Sequence, residues 1–136
     1  SRPGAGEPRP RHTGSLVSDR SGSVTPFAMI QLADRGQFFV EPGQDTYEGQ
    51  VVGINPRAED LDINVTREKK LTNMRSSTAD VMETLARPLE LGLEQAMEFC
   101  AEDECVEVTP EVVRVRKVEL TASLRARAKA REKARN

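Results

Sequence analysis

The sequence predicts a mainly β domain: small, barrel-like and antiparallel, with one short amphipathic helix and a basic C-terminal tail that is partly disordered or helical. Three observations predict it. Short β-forming runs recur at even spacing between Gly, Pro, Asp and Asn turn clusters from residue 14 to residue 65. A single stretch, Leu93, Ala96, Met97 and Cys100, repeats at i, i+3, i+4 and i+7, the spacing of one helical face. Beyond Leu120 the chain is dominated by Ala, Arg and Lys and carries no apolar stripe.

Residues 1–12, rich in Pro, Gly and Arg, read as a linker from a preceding domain of a longer protein. Residues 13–120 read as the folded domain and residues 121–136 as the tail. Gly14-Ser15-Leu16-Val17-Ser18 is a first strand. Asp19-Arg20-Ser21-Gly22 supplies turn chemistry, and residues 24–32 return as the partner strand, with Pro26 at an edge or bulge because it has no N–H to donate. Turns at Asp34-Arg35-Gly36 and Glu41-Pro42-Gly43 separate Gln37-Phe38-Phe39-Val40 from Gln50-Val51-Val52-Gly53-Ile54. Leu61-Asp62-Ile63-Asn64-Val65 alternates, which assigns Leu61, Ile63 and Val65 to a buried face. Residues 78–85 either form a short helix capped from Ser77 to Asp80 or extend the preceding loop. Pro88-Leu89-Glu90-Leu91 alternates as a strand, and Gly92 precedes the amphipathic helix. Val106 and Val108 form a strand, Thr109-Pro110 turns, and Val113 and Val115 oppose Arg114 and Arg116 on the last one.

Of the 136 residues, 37% are hydrophobic and 31% charged, so part of the chain lies outside any core. The net charge of −2 conceals a segregation. Residues 80–111 carry ten acids against Arg87, a balance of −9, and residues 112–136 carry nine bases against Glu119 and Glu132, a balance of +7. There is no long apolar run and no leader pattern, so no membrane span is predicted. Cys100 and Cys105 read as two thiols, with a disulfide across the acidic turn as the alternative; with His12 far away in sequence they lack partners for a zinc site. Glu102, Asp103, Glu104 and Glu107 read as an exposed acidic turn, because no glycine-organised ligand loop accompanies them. No phosphate-binding Gly-rich loop, nucleophile elbow or triad occurs, so no catalytic and no metal residues are assigned.

One stretch is organised differently. Arg67-Glu68-Lys69-Lys70-Leu71-Thr72-Asn73-Met74-Arg75-Ser76-Ser77 has no periodicity and sets four cations against Glu68, with hydroxyls and an amide between them. Such a loop suits an anionic partner, its cations meeting phosphates while Thr72 and Asn73 reach sugar, phosphate or base edge and Leu71 or Met74 packs on a nucleotide. A solvated connector is the plain alternative. Arg114, Arg116 and Lys117 extend the basic surface. On the residues alone this is a non-catalytic binding module for RNA or a ribosomal surface.

Gly49-Gln50-Val51-Val52-Gly53-Ile54, Lys69-Lys70-Leu71-Thr72-Asn73-Met74-Arg75, Leu93-Glu94-Gln95-Ala96-Met97-Glu98-Phe99 and Val106-Glu107-Val108-Thr109-Pro110 with Val113-Arg114-Val115-Arg116-Lys117 resemble the C-terminal domain of the BipA/TypA translational GTPases. Two features depart from that pattern: Gly92 in place of a Ser or Thr cap, and a longer, more basic tail. The resemblance implies a cytoplasmic factor that binds the 70S ribosome and is linked to ribosome assembly and stress responses. GTP and Mg²⁺ would be held by the parent protein, with no cofactor in this monomeric fragment. It implies that residues 69–76 (Lys69, Lys70, Leu71, Thr72, Asn73, Met74, Arg75 and Ser76) approach large-subunit ribosomal RNA and the acceptor end of A-site tRNA. The competing reading is a protein-interaction or structural appendage that regulates the parent GTPase, its acidic residues 80–111 meeting a basic protein.

Overall fold

The computed structural model describes residues 13–68 and 87–135. The chain is mainly β, and its described residues form a six-stranded mixed sheet with three helices. In order these are β1 (Gly14–Ser18), β2 (Gly22–Ser23), α1 (Pro26–Leu32), β3 (Gln37–Phe38), β4 (Asp45–Thr46), β5 (Gln50–Asn55), β6 (Leu61–Ile63), α2 (Leu93–Phe99), β7 (Glu104–Val108), β8 (Val113–Lys117) and α3 (Ala122–Arg135). The sheet runs β6-β1-β5-β8-β7, with β3 also on β5, while β2 and β4 form a separate two-stranded ribbon. All pairs are antiparallel except β1 with β6, which run parallel.

The centre of the sheet is buried on both faces. Every residue of β1 is buried, and a register shift between Leu16 and Val17 makes Leu16 face Gly53 and Val17 face Val51. Leu16 then joins Val24, Met29, Val40, Val52, Ile63 and Val65 in one apolar cluster under α1. Val17 joins Val51, Ala96 and Val115 in a second, packed against Phe39, Leu91, Phe99 and Val106. Adjacent residues thus serve opposite cores, as the two-residue period of a strand requires.

Several expectations are corrected. Residues 24–32 are not a return strand, and β1 forms no hairpin with β2. Thr25 caps α1 by accepting from the Ala28 N–H at 3.1 Å, and Pro26 occupies the first turn, where a missing N–H leaves nothing unpaired. Residues 88–91 form no strand; the Leu89 N–H donates to the Phe38 carbonyl at 2.8 Å as a single tie. The amphipathic helix lies where its period places it, but its buried residue is Ala96, with Phe99 and Cys100 packing beside it. Leu93 and Met97 are 48% and 64% exposed, so the inward face is rotated from the one expected. Leu61 is exposed at the start of β6, whereas Ile63 and Val65 are buried. Among the described residues the sheet does not close into a barrel, and it is mixed rather than wholly antiparallel because β6 joins β1 in parallel. The tail is helical over Ala122–Arg135. The alternative helix or loop over 78–85 lies outside the described residues.

Candidate nucleic-acid interface

Residues 69–76, the core of the expected RNA contact, lie outside the described residues; the ends of the body that carry them do not. On the incoming side, Val65 is buried and its carbonyl accepts from the Thr25 N–H at 3.0 Å. The Asn64 carboxamide oxygen accepts from the Thr66 N–H at 2.9 Å and from its hydroxyl at 2.7 Å, a side-chain turn that closes the strand. The Thr25 hydroxyl donates to the Arg67 carbonyl at 2.5 Å while also capping α1. On the outgoing side, Leu89 is tied to Phe38, and Arg87, Pro88 and Leu89 wall a cleft of about 270 Å³ with Met29, Phe38 and Val40. The described flanks of residues 69–86 are thus held by Thr25, which caps α1, and by Phe38 of β3.

The three basic residues expected on the last strand do not behave alike. β8 pairs with β7 so that Glu107 stands opposite Arg114 and Glu104 opposite Lys117. Arg114 and Arg116 are half-exposed and share one partner, their guanidinium nitrogens lying 3.7 and 3.6 Å from the two Glu107 oxygens. Arg116 also donates to the Lys117 carbonyl at 3.0 Å. The Tyr47 hydroxyl donates to Glu107 at 3.1 Å. Burial first, then the Glu107 charge and hydrogen bond, push the Tyr47 phenol up to about 12, against the opposing pull of Arg114 and Arg116.

Lys117 is not a surface contact, which corrects its assignment to the basic face. Its side chain is 1% exposed, and its ammonium donates to Asp60 and, at 2.8 Å, to Asp103, with Glu104 at 3.0 Å. The carboxylates are themselves held. The Ser15 hydroxyl donates to Glu104 at 2.5 Å, the Ser15 N–H to Asp60 at 2.8 Å, and the Ala101 N–H to Glu104 at 2.9 Å. Burial pulls the lysine pKa down, but the bonds from Asp103, Asp60 and Glu104 outweigh it and hold it above the ordinary lysine value. Asp60, Asp103 and Glu104 bring their oxygens within 4.8 Å of one another, a grouping that suits a cation, and the cation they hold is this ammonium. The acidic turn is accordingly only partly solvated: Glu102 is exposed, but Glu104 is buried.

Sequence reasoning missed this cluster and the Tyr47–Glu107–Arg pair, although a signal existed. A hairpin turning at Thr109-Pro110 in symmetric register sets 104 opposite 117 and 107 opposite 114, which pairs acid with base twice. Asp60, from a distant turn, carried no such signal.

Among the described residues, the basic helix α3 is hydrogen-bonded to the sheet body at its start. The Ala122 N–H donates to Glu48 at 2.9 Å, and Arg125 donates to Asp62 at 2.8 Å. From residue 126 to residue 134 every position is exposed. No described helix is long and apolar enough to cross a membrane.

A family model described as the TypA/BipA C-terminal domain matches residues 13–122. Proteins named large ribosomal subunit assembly factor BipA are similar to the chain. The one from Salmonella typhimurium and the one from Escherichia coli strain K12 are each 46% identical over 123 residues, 90% of this chain and 20% of the relative. The one from Synechocystis is 42% identical over 117 residues, 86% of this chain and 20% of the relative. The chain thus spans about a fifth of the length of these curated relatives. With the match covering the whole sheet from β1 to β8 and both of its cores, the chain belongs to the TypA/BipA C-terminal domain family.

Proposed function

We propose that this domain is the RNA-contacting module of a ribosome-associated translational GTPase, with residues 69–76 meeting large-subunit ribosomal RNA and the acceptor end of A-site tRNA. The carrying observation is that the described residues on either side of 69–86 are tied to the folded body, Arg67 by Thr25 and Leu89 by Phe38. A segment with Lys69, Lys70 and Arg75 presented from such a base has its search space reduced before it binds, which lowers the ordering cost of association. The names of the relatives, which refer to assembly of the large ribosomal subunit, support a ribosomal target. Arg114 and Arg116, half-exposed on β8, share the single carboxylate of Glu107, so the pair carries one positive charge beyond its partner to flank the segment. In this reading the protein works in the cytoplasm, GTP and Mg²⁺ belong to preceding domains of the whole protein, and no nucleotide chemistry is assigned to this chain.

The alternative is an appendage whose acidic residues dock a basic protein, and three of those acids are already engaged within the fold. Asp103 and Glu104 pair with Lys117, and Glu107 is shared by Arg114 and Arg116, whereas Glu90, Glu94, Glu98, Glu102 and Glu111 are exposed.

The test is ribosome binding by the full-length factor as a function of salt. Replacing Lys69→Ala and Lys70→Ala together should weaken binding and lower the salt slope by roughly one to two units, since each lost phosphate contact removes somewhat less than one. Unchanged binding across the salt range would exclude the loop as the contact.

A further inference from the structure

We infer that α3 is a second RNA-binding element, which lies between two phosphate strands of structured RNA and meets each with one row of cations. The inference builds on the RNA reading of the domain but rests on a different element. Beyond Arg125, which is held by Asp62, the helix carries Arg127, Lys129, Arg131 and Lys133 with Glu132 as the only acid before Arg135. Successive residues turn by about 100°, so residues four apart line up and residues two apart fall on nearly opposite sides. Arg127 and Arg131 therefore form one row, and Lys129 and Lys133 a second row about 200° round the helix. Ala126, Ala128, Ala130 and Ala134 occupy positions between the rows and keep the cylinder narrow.

This distribution selects among partners. A helix lying on a membrane surface needs one apolar face opposite its cations, and one docking in a protein groove needs apolar anchors at i, i+3, i+4 and i+7. From residue 126 to residue 134 the only apolar residues are alanines, and every position is exposed. Cations on two opposite sides of a thin rod instead match a partner carrying negative charge on two walls, as an RNA groove does. Nine residues from 126 to 134 span about 13 Å, long enough for each row to reach more than one phosphate. The tie of Arg125 to Asp62 and the bond from Ala122 to Glu48 fix the root of the rod on the domain, so its free part is offered to a partner at a set angle.

The experiment is fluorescence anisotropy of the full chain with a labelled RNA stem-loop containing a bulge. Comparisons are single-stranded RNA of the same length and vesicles of phosphatidylcholine with phosphatidylserine. Arg127→Gln with Arg131→Gln removes one row, and Lys129→Gln with Lys133→Gln removes the other; glutamine preserves helix propensity, which circular dichroism checks. Each pair should lower stem-loop affinity by roughly 10- to 60-fold at about 0.1 M salt and reduce the salt slope by just under two units. Three outcomes overturn the proposal: neither pair changes stem-loop binding, only one row contributes, or vesicle binding rather than stem-loop binding depends on the rows. Equal, equally row-dependent binding of single-stranded RNA also overturns it, because a single strand has no second wall. Lys69→Ala with Lys70→Ala separates the two readings. If the loop variant alone loses the stem-loop, α3 is not the contact; if the row variants alone lose it, the α3 inference stands without the loop.

Discussion

β8 and α3 are both basic and are separated by only four residues, yet the fold uses their charges in opposite ways. On β8 each cation has a carboxylate: Lys117 is enclosed by Asp60, Asp103 and Glu104, and Arg114 and Arg116 flank Glu107. On α3 only Arg125 is shown engaged with the body, and the cations from residue 127 to residue 133 stand in solvent. The difference is one of pairing geometry. A strand hydrogen-bonded to an acidic neighbour brings opposite charges into register, whereas a helix tied at its first turn has no paired strand to set acids opposite its later cations. A run of basic residues in sequence is therefore not a measure of basic surface.

The largest expected break in this contrast is Lys117→Met. It removes the ammonium from among three carboxylates, two of them bonded to Ser15, and should cost about 3–5 kcal/mol in urea unfolding. Arg131→Gln on α3, measured in the same way, should leave the urea midpoint unchanged. Comparable midpoints for the two variants would erase the distinction between the regions.

A smaller effect tests how α3 is rooted. Gly49 has φ +93°, and a Cβ there would lie 2.7 Å from the Leu120 Cα, just ahead of the helix. Gly49→Ala should cost about 1–3 kcal/mol through left-handed strain, with further cost from the overlap. Its urea slope should stay unchanged if only the root of the helix shifts. A neutral substitution would show that the helix root is not held against this turn.

The smallest effect is spectroscopic. Tyr47 is the only tyrosine, so tyrosinate absorbance reports it alone. Its midpoint should lie at about 12 in the folded protein. Glu107→Gln should lower the midpoint while leaving it above 10, because burial is the larger cause. Since the folded-state pKa is raised, the stability this group contributes is fully present below pH 10 and is lost as the pH climbs towards about 12. Lys117, also raised, acts in the same alkaline direction, its contribution lost as the pH rises through its folded-state value. A wild-type Tyr47 midpoint near 10 would remove Glu107 and burial from the account.

Local signals were legible where a period or a turn carried them. The spacing of Leu93, Ala96, Met97 and Cys100 located α2, and the alternation at residues 113–117 located β8, because helix and strand periods are properties of the chain itself. Residues 26–32 were misread because β-forming Phe27, Ile30 and Leu32 outweighed the Thr25-Pro26 start signal, which the structure uses as a helix cap. The inward face of α2 was misjudged because Leu93 and Met97 are more apolar than Ala96, while the sheet surface admits the small side chain closely and takes Phe99 beside it.

By itself the sequence determined the β class, the position of the amphipathic helix, the segregation of charge and the family to which the chain belongs. Tertiary structure alone decided that β6 would join β1 in parallel, and that Asp60 would cross from a distant turn to reach Lys117. It also decided that Glu104 and Glu107 of β7 would stand opposite bases of β8, while the cations of α3 from residue 127 to residue 133 would stand exposed. The reason is that electrostatic pairing depends on distance and burial between residues far apart in the chain, and neither is encoded in a residue's own neighbourhood.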